Sequence, residues 1–233
     1  MPAPDSAPPP TLYFGYGSNL WLHQMRLRCP TSRYLGVARL PGWRWLINSR
    51  GYANVVESST STSTSTSSSP TVPAAASSAP SAQPQQHADN EVYGLAYALL
   101  PADEARLDVN EGVPEAYTKE YLEVEFWARP DGSSDTPGWT DVGGTPERRS
   151  VLVYVDRKRR EEAKPKAEYV HRMNRGIADA LAMGVPGGYV EGVMRRFIPE
   201  EKEGEGEVEE KGKVEEKALK QAVNFIDENT SGV

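Results

Sequence analysis

Two short stretches of this chain carry side chains whose types and spacing could do chemistry. The first is Tyr16-Gly17-Ser18-Asn19, which follows the apolar and aromatic run Leu12-Tyr13-Phe14-Gly15 and precedes a helical pattern. A glycine between a strand and a helix lets the backbone approach a ligand closely. The amides that open a helix carry partial positive charge and favour an anion such as a carboxylate. The competing reading is a tight turn with Asn19 as helix cap. The second stretch is Leu107-Asp108-Val109-Asn110-Glu111-Gly112-Val113-Pro114. Here Glu111 ends a short helix, facing the negative end of its dipole, which raises the pKa of a buried carboxylate. A group tuned in this way suits general acid–base work near neutral pH. An exposed glutamate at a helix end is the alternative.

Other chemistries find little support. His23, His87 and His171 are scattered, and no Cys/His spacing matches a metal site. Cys29, the only cysteine, rules out an internal disulfide and is expected to pack at a helix end rather than act as a nucleophile. Ser18 sits in Gly-Ser-Asn, not in a Gly-x-Ser-x-Gly elbow. Gly15-x-Gly17 lacks the third glycine of a dinucleotide fingerprint.

The elements that must position these residues are legible from periodicity and punctuation. Strands are expected at Leu12–Tyr16, Leu35–Leu40, Trp43–Asn48, Tyr52–Val56, Val92–Leu99, Tyr121–Ala128 and Val151–Val155. Leu20–Arg28 reads as a helix with Asn19 as cap and Pro30 as stop. A second helix runs from Ala102 to Glu111, with Gly112 as its C-terminal cap. Pro165 opens the longest helix, where Val170, Met173, Ile177 and Leu181 fall on one face before Gly184 and Pro186 end it. Tyr189–Phe197 adds a shorter one. This mixture predicts an α+β fold, a mixed sheet curled into a small barrel with flanking helices.

Composition divides the chain. Ser58–Ser69 is an unbroken Ser/Thr run, continued by Pro, Ala, Ser and Gln. Such a stretch has nothing to bury against its ordering entropy. Residues 58–87 are therefore expected to be a disordered insertion within one domain spanning 12–199, with residues 1–11 a disordered N-terminus. Between Glu200 and Lys217, nine Glu against four Lys carry −5 of the net charge of −7. Residues 200–233 read as a solvated acidic tail with a short helix. An acidic tail without a basic face argues against nucleic acid. The N-terminus lacks the basic and apolar regions of a signal peptide, and no apolar run is long enough to span a bilayer. A cytoplasmic protein without membrane contact is expected.

Tyr13-Phe14-Gly15-Tyr16-Gly17-Ser18-Asn19-Leu20 resembles the signature that opens the γ-glutamylcyclotransferases. Val37-Ala38-Arg39-Leu40, Val92-Tyr93-Gly94, Leu107–Val113 and Tyr154 follow in that family's order. The resemblance covers Leu12–Glu57 and Glu91–Pro199. It implies a mixed α/β barrel with its site at one mouth, no metal and no cofactor. By the same resemblance, Glu111 is the catalytic acid/base. Tyr16, Gly17, Ser18, Asn19 and Leu20 form the substrate loop, and Tyr117 and Tyr154 are further substrate contacts. The implied reaction closes a γ-glutamyl group to 5-oxoproline with release of the attached amine or amino acid. Glutathione-specific relatives carry Tyr-Gly-Ser-Leu, so Asn19 points to the broader branch. Other leaving groups stay open, including γ-glutamylamines and glutathione conjugates of the kind handled by family members in fungal thiol-toxin biosynthesis. So does a non-catalytic binding protein on the same fold. The expected partner is a small γ-glutamyl compound, and a homodimer is compatible with the sequence.

Overall fold

The computed structural model describes residues 9–58, 90–130, 138–201 and 208–223. Its centre is a closed barrel of five strands in the order β1-β5-β2-β6-β7. These are β1 (Thr11–Gly15), β2 (Arg33–Pro41), β5 (Glu91–Leu99), β6 (Thr118–Ala128) and β7 (Glu147–Val155). Neighbours pair antiparallel except β1 with β7, which run parallel through Tyr13 and Leu152 and close the barrel. The α+β expectation therefore holds. Strands β3 (Trp43–Ile47) and β4 (Ala53–Glu57) form a separate hairpin.

The core explains the closure. Phe14, Val37, Leu95, Leu152 and Val153 are fully buried, and they come from four of the five barrel strands. Burying each such side chain is worth about 1.5–3 kcal/mol. An open five-stranded sheet would leave part of that surface wet and expose two edges.

Helices cover the barrel. A 3₁₀ turn at Ser18–Leu20 leads into α1 (Leu22–Arg28), and α2 spans Pro101–Glu111. The long α3 (Ala167–Met183) is followed by α4 (Gly187–Gly192) and a 3₁₀ turn at Met194–Arg196. Of the expected apolar face of α3, Met173 and Ile177 are buried, Val170 packs against the core, and Leu181 at the far end is exposed. Proline starts α2, where the missing N–H costs nothing. Both α2 and α3 stop at glycines in left-handed conformation, Gly112 and Gly184. At the first, the amides of Gly112 and Val113 reach back to the carbonyls of Val109 and Asp108. This is the Schellman arrangement that favours glycine.

Two expectations need correction. Asn19 is not the cap of α1: that position is Trp21, without a side-chain bond, and the Leu22 amide is instead capped at 2.8 Å by Asp179 Oδ2 from α3. The asparagine amide is spent on neighbours inside the molecule. The acidic tail also holds more than a short solvated helix. Helix α5 (Val208–Val223) packs on α1 and α3 and buries Ala218, Gln221 and Ala222.

The N-terminal expectation is trimmed at its end, because Thr11 already belongs to β1. Its other residues, apart from Pro9 and Pro10, lie outside the described residues, as do 59–89 and the tail segments 202–207 and 224–233. The chain on either side of 59–89 converges on one residue. The Ser58 amide bonds the Gly42 carbonyl at 2.9 Å, and the Gly42 amide bonds the Asn90 carbonyl at 2.8 Å. Among the described residues no helix is long and apolar enough to cross a membrane.

Candidate active site

Where the end of β1, the end of α2, the β3–β4 hairpin and α3 meet, the surface opens into a small cavity of about 50 Å³. Its walls include Tyr16, Gly17, Ser18, Asn19, Glu111, Tyr117 and Tyr154. Residues far apart in sequence thus share one space. Leu20 stands apart from the rest of the loop, fully buried and packed on α3 beside Gly176 rather than lining the cavity. Its apolar side chain anchors the loop to the core.

Glu111 is the single carboxylate of the cavity wall among the described residues. It is held by the turn that ends α2: the left-handed Gly112 (φ 64°) lets the chain reverse directly behind it. Its Oε1 accepts from Asn19 Nδ2 at 3.1 Å and lies 4.0 Å from the guanidinium of Arg28, with the two side chains 17% and 3% exposed. Burial pushes the Glu111 pKa up, against the downward pull of Arg28, the Asn19 bond, Arg50 and Arg172. The direction agrees with the sequence reading, but loss of water is its leading cause.

Asn19 organises the floor. Its amide donates to Tyr13 Oη at 2.8 Å as well as to Glu111, and its Oδ1 accepts from Gln24 at 2.8 Å and Arg28 at 3.2 Å. Ser18 Oγ accepts from Gln24 at 2.9 Å and from Arg172 at 3.1 Å. Arg172, itself buried, is forked onto Glu168 at 2.8 and 3.1 Å, which fixes its direction. Tyr169 Oη accepts the backbone amides of Ser18 and Ala53, each at 3.2 Å. A hydroxyl offers two lone pairs and one proton. With both lone pairs occupied, Ser18 and Tyr169 each retain an O–H to donate.

Four of the amides at the start of the first helix have partners within the protein. The Ser18 amide is directed at Tyr169, the Leu20 and Trp21 amides at carbonyls of the loop, and the Leu22 amide at Asp179. Gly17 lines the cavity and is also closely hemmed in by the protein. A Cβ there would sit 2.8 Å from Tyr169 Oη and 3.1 Å from the Ala53 Cβ, so glycine makes room for protein neighbours.

The remaining walls are phenolic. Tyr16 Oη donates to the Tyr154 carbonyl at 2.5 Å, Tyr154 Oη to Asp108 Oδ1 at 2.7 Å, and Tyr117 Oη to the Ala53 carbonyl at 2.8 Å. Arg50 lies over the rings of Tyr52 and Tyr117. Burial drives the phenol pKa values of Tyr13, Tyr16, Tyr117 and Tyr154 upward and that of Tyr169 to about 12, so all are neutral at physiological pH. Cys29 is buried outside the cavity, and burial followed by the nearby Asp103 carboxylate pushes its thiol up to about 12, so it is not a nucleophile. Sequence reasoning missed Tyr13, Arg28, Tyr52, Tyr169 and Arg172. Tyr13 and Arg28 flank the loop in the chain, while tertiary packing brings Tyr52 from the hairpin and Tyr169 and Arg172 from α3.

No protein-family model matches this chain, and no curated protein does. Solved structures do. One named gamma-glutamyl cyclotransferase superposes with a TM-score of 0.55 at 21% identity, covering 90% of this chain and 98% of that one. The crystal structure of an uncharacterized protein from Homo sapiens superposes with a TM-score of 0.56 at 20% identity, covering 89% of this chain and 99% of the other. Both alignments run over nearly the whole of the matched proteins, barrel and helices together. The chain has the gamma-glutamyl cyclotransferase fold.

Proposed function

We propose that the protein is a γ-glutamylcyclotransferase, which cyclises a γ-glutamyl group to 5-oxoproline and releases the attached amine or amino acid. The observation that carries this reading is Glu111, a half-buried carboxylate of raised proton affinity at the end of a cavity rich in neutral donors. Further support comes from the fold shared with a protein of that name.

The substrate contains its own nucleophile, so neither cofactor nor enzyme nucleophile enters. In a peptide the α-amine is largely ammonium at neutral pH, its pKa being about 8. The Glu111 carboxylate takes one ammonium proton. The freed amine nitrogen attacks the γ-carbonyl carbon and forms the five-membered ring, leaving negative charge on the carbonyl oxygen. As that carbon–oxygen double bond re-forms, the bond to the departing nitrogen breaks. Glu111 returns its proton to that nitrogen, takes the surplus proton from the ring nitrogen and passes it to the released amine, which departs as an ammonium, and the enzyme is restored.

The Ser18 and Tyr169 hydroxyls, with their lone pairs filled from behind, are the donors we assign to the substrate's α-carboxylate. Tyr16, Gly17 and Asn19 shape the loop that carries Ser18, Tyr169 reaches the cavity from α3, and Tyr117 and Tyr154 flank the reacting carbonyl. Holding the folded-back conformer is itself a large effect, with effective molarities of about 10⁵ M or more for well-oriented intramolecular attack.

The test is turnover. The purified chain is incubated with γ-glutamyl dipeptides, γ-glutamylamines, glutathione and glutathione S-conjugates, and 5-oxoproline is followed by mass spectrometry. Release from at least one class, with loss of an equal amount of substrate, is the expected result. Saturable binding of these compounds without 5-oxoproline would make the protein a binding relative.

A further inference from the structure

The acidic C-terminal segment and the buried Arg28 explain one another. Helix α5 is described as far as Val223. Arg28 bonds two carbonyls of its last described turn: Nε donates to the Ala222 carbonyl at 2.9 Å and Nη2 to the Gln221 carbonyl at 2.8 Å. The other side of the guanidinium faces the cavity. There Nη1 donates to Asn19 Oδ1 at 3.2 Å and stands 4.0 Å from Glu111 Oε1. Arg28 is thus a strut with one end on α5 and the other on the two side chains that organise the cavity floor. The segment that holds it is a stripe of small residues in a charged helix: Ala218 and Ala222 are fully buried, with Gln221 between them.

We propose that Arg28 is a positioning residue for Glu111, and that helix α5 is the part of the fold that holds it in place. Loss of the helix from its seat lets the guanidinium turn to water, and Glu111 then faces the cavity without its nearest cation. The inference deepens the assignment of Glu111 as the proton-transfer group, and rests on it only for its catalytic consequence.

Glu111 feels charge from several elements. The cations are Arg28 on α1, Arg50 between β3 and β4, and Arg172 on α3, of which Arg172 is committed to Glu168. The acidic groups around it are the phenols of Tyr13, Tyr16, Tyr117, Tyr154 and Tyr169 and the Cys29 thiol. All six are shifted upward and stay protonated while Glu111 titrates. Arg28 is lowered by burial and by Arg172 to about 10, so it remains charged there. A change in the Glu111 midpoint therefore reports the position of the cations.

The experiment titrates the Glu111 carboxyl carbon by NMR in the substrate-free, full-length protein, with Glu111→Gln used to assign the signal. Four chains are compared: the parent, Arg28→Met, the undocking variant Ala218→Glu/Ala222→Glu, and the combination. Removing an opposite charge at this distance should raise the midpoint by about one unit or more. Undocking should move it in the same direction, and the combination should go no higher than Arg28→Met alone, as expected for changes acting through one group. An undocking variant with an unchanged or lowered midpoint overturns the proposal. So does a shift that adds in full to that of Arg28→Met. Should Arg28→Met fail to fold, Arg28→Lys replaces it, because an ammonium cannot span both carbonyls and Asn19. Undocking should then add nothing to the Lys variant, and an additive shift again overturns the idea. The readout needs no turnover, so a chain that never forms 5-oxoproline would still decide it.

Discussion

Replacing Glu111 by glutamine separates proton transfer from shape. The amide is nearly isosteric, and its Oε1 can still accept from Asn19 Nδ2, now 3.1 Å from the carboxylate. Binding should therefore survive. Turnover should not, because general acid–base catalysis is worth about 10²–10⁴-fold. At 1.36 kcal/mol per decade that is about 2.7–5.4 kcal/mol of barrier. Stability should move the other way. The Glu111 pKa is raised above 4.5, so in the folded protein the burial cost of its charge exceeds the combined attraction of Arg28, Arg50 and Arg172. A carboxyl whose folded pKa is raised contributes fully below its unfolded pKa and loses that contribution as pH rises through the folded value. The glutamine variant should thus match the parent in melting temperature near pH 4 and equal or exceed it at pH 8. The assays are kcat for 5-oxoproline release, substrate affinity by calorimetry, and melting curves at both pH values. A variant with near-parental kcat would refute the role of Glu111. A lower melting temperature at pH 8 than at pH 4, relative to the parent, would refute the electrostatic reasoning.

Other perturbations follow from the same geometry. Gly17→Ala places a methyl 2.8 Å from Tyr169 Oη and must push the hydroxyl off two amides. The expected cost is about 1–3 kcal/mol in denaturant unfolding, with a raised KM, and parental values for both would show that the contact is slack. Gly112→Ala forces a side chain into the left-handed conformation at φ 64°, at a cost of about 1–2 kcal/mol. Its melting temperature should fall by about 2–8 °C, and no fall would mean that the turn behind Glu111 relaxes freely. Deleting Ser59–Gln85 should leave melting temperature and kcat unchanged within error. The flanking Ser58 and Asn90 are already tied to Gly42, so a clear loss in either would give the segment a structural role.

The barrel strands and the two glycine-stopped helices were legible because each is signalled locally, by alternation, by proline or by glycine. Glu111 was marked locally by the Gly112 that follows it, but that mark suits an exposed helix-end glutamate equally well, and its role came from the family resemblance. Asn19 was misread because asparagine suits a helix cap and a buried hydrogen-bond hub equally well, and only the tertiary contacts choose. Arg28 carried no mark beyond its place at a helix end, and Tyr169 and Arg172 none beyond their places on α3. Each has a partner more than 110 residues away in the chain. The C-terminal helix did leave a signal that charge obscured. Val214, Ala218, Gln221 and Ala222 follow helical spacing, and the last three are buried.

The bonds between Arg28 and α5 join positions 193 and 194 residues apart in the chain. At ribosomal rates of about 5–20 residues per second, about 10–40 seconds pass between the synthesis of Arg28 and that of its acceptors. Throughout that interval Arg28 lacks the two carbonyls that hold it in the folded chain. Even β7, which closes the barrel against β1, is made earlier than α5. The cavity floor is therefore finished last, and a nascent or prematurely terminated chain lacking residue 222 carries an unsupported site. The order of synthesis itself keeps such chains from reaching the completed form.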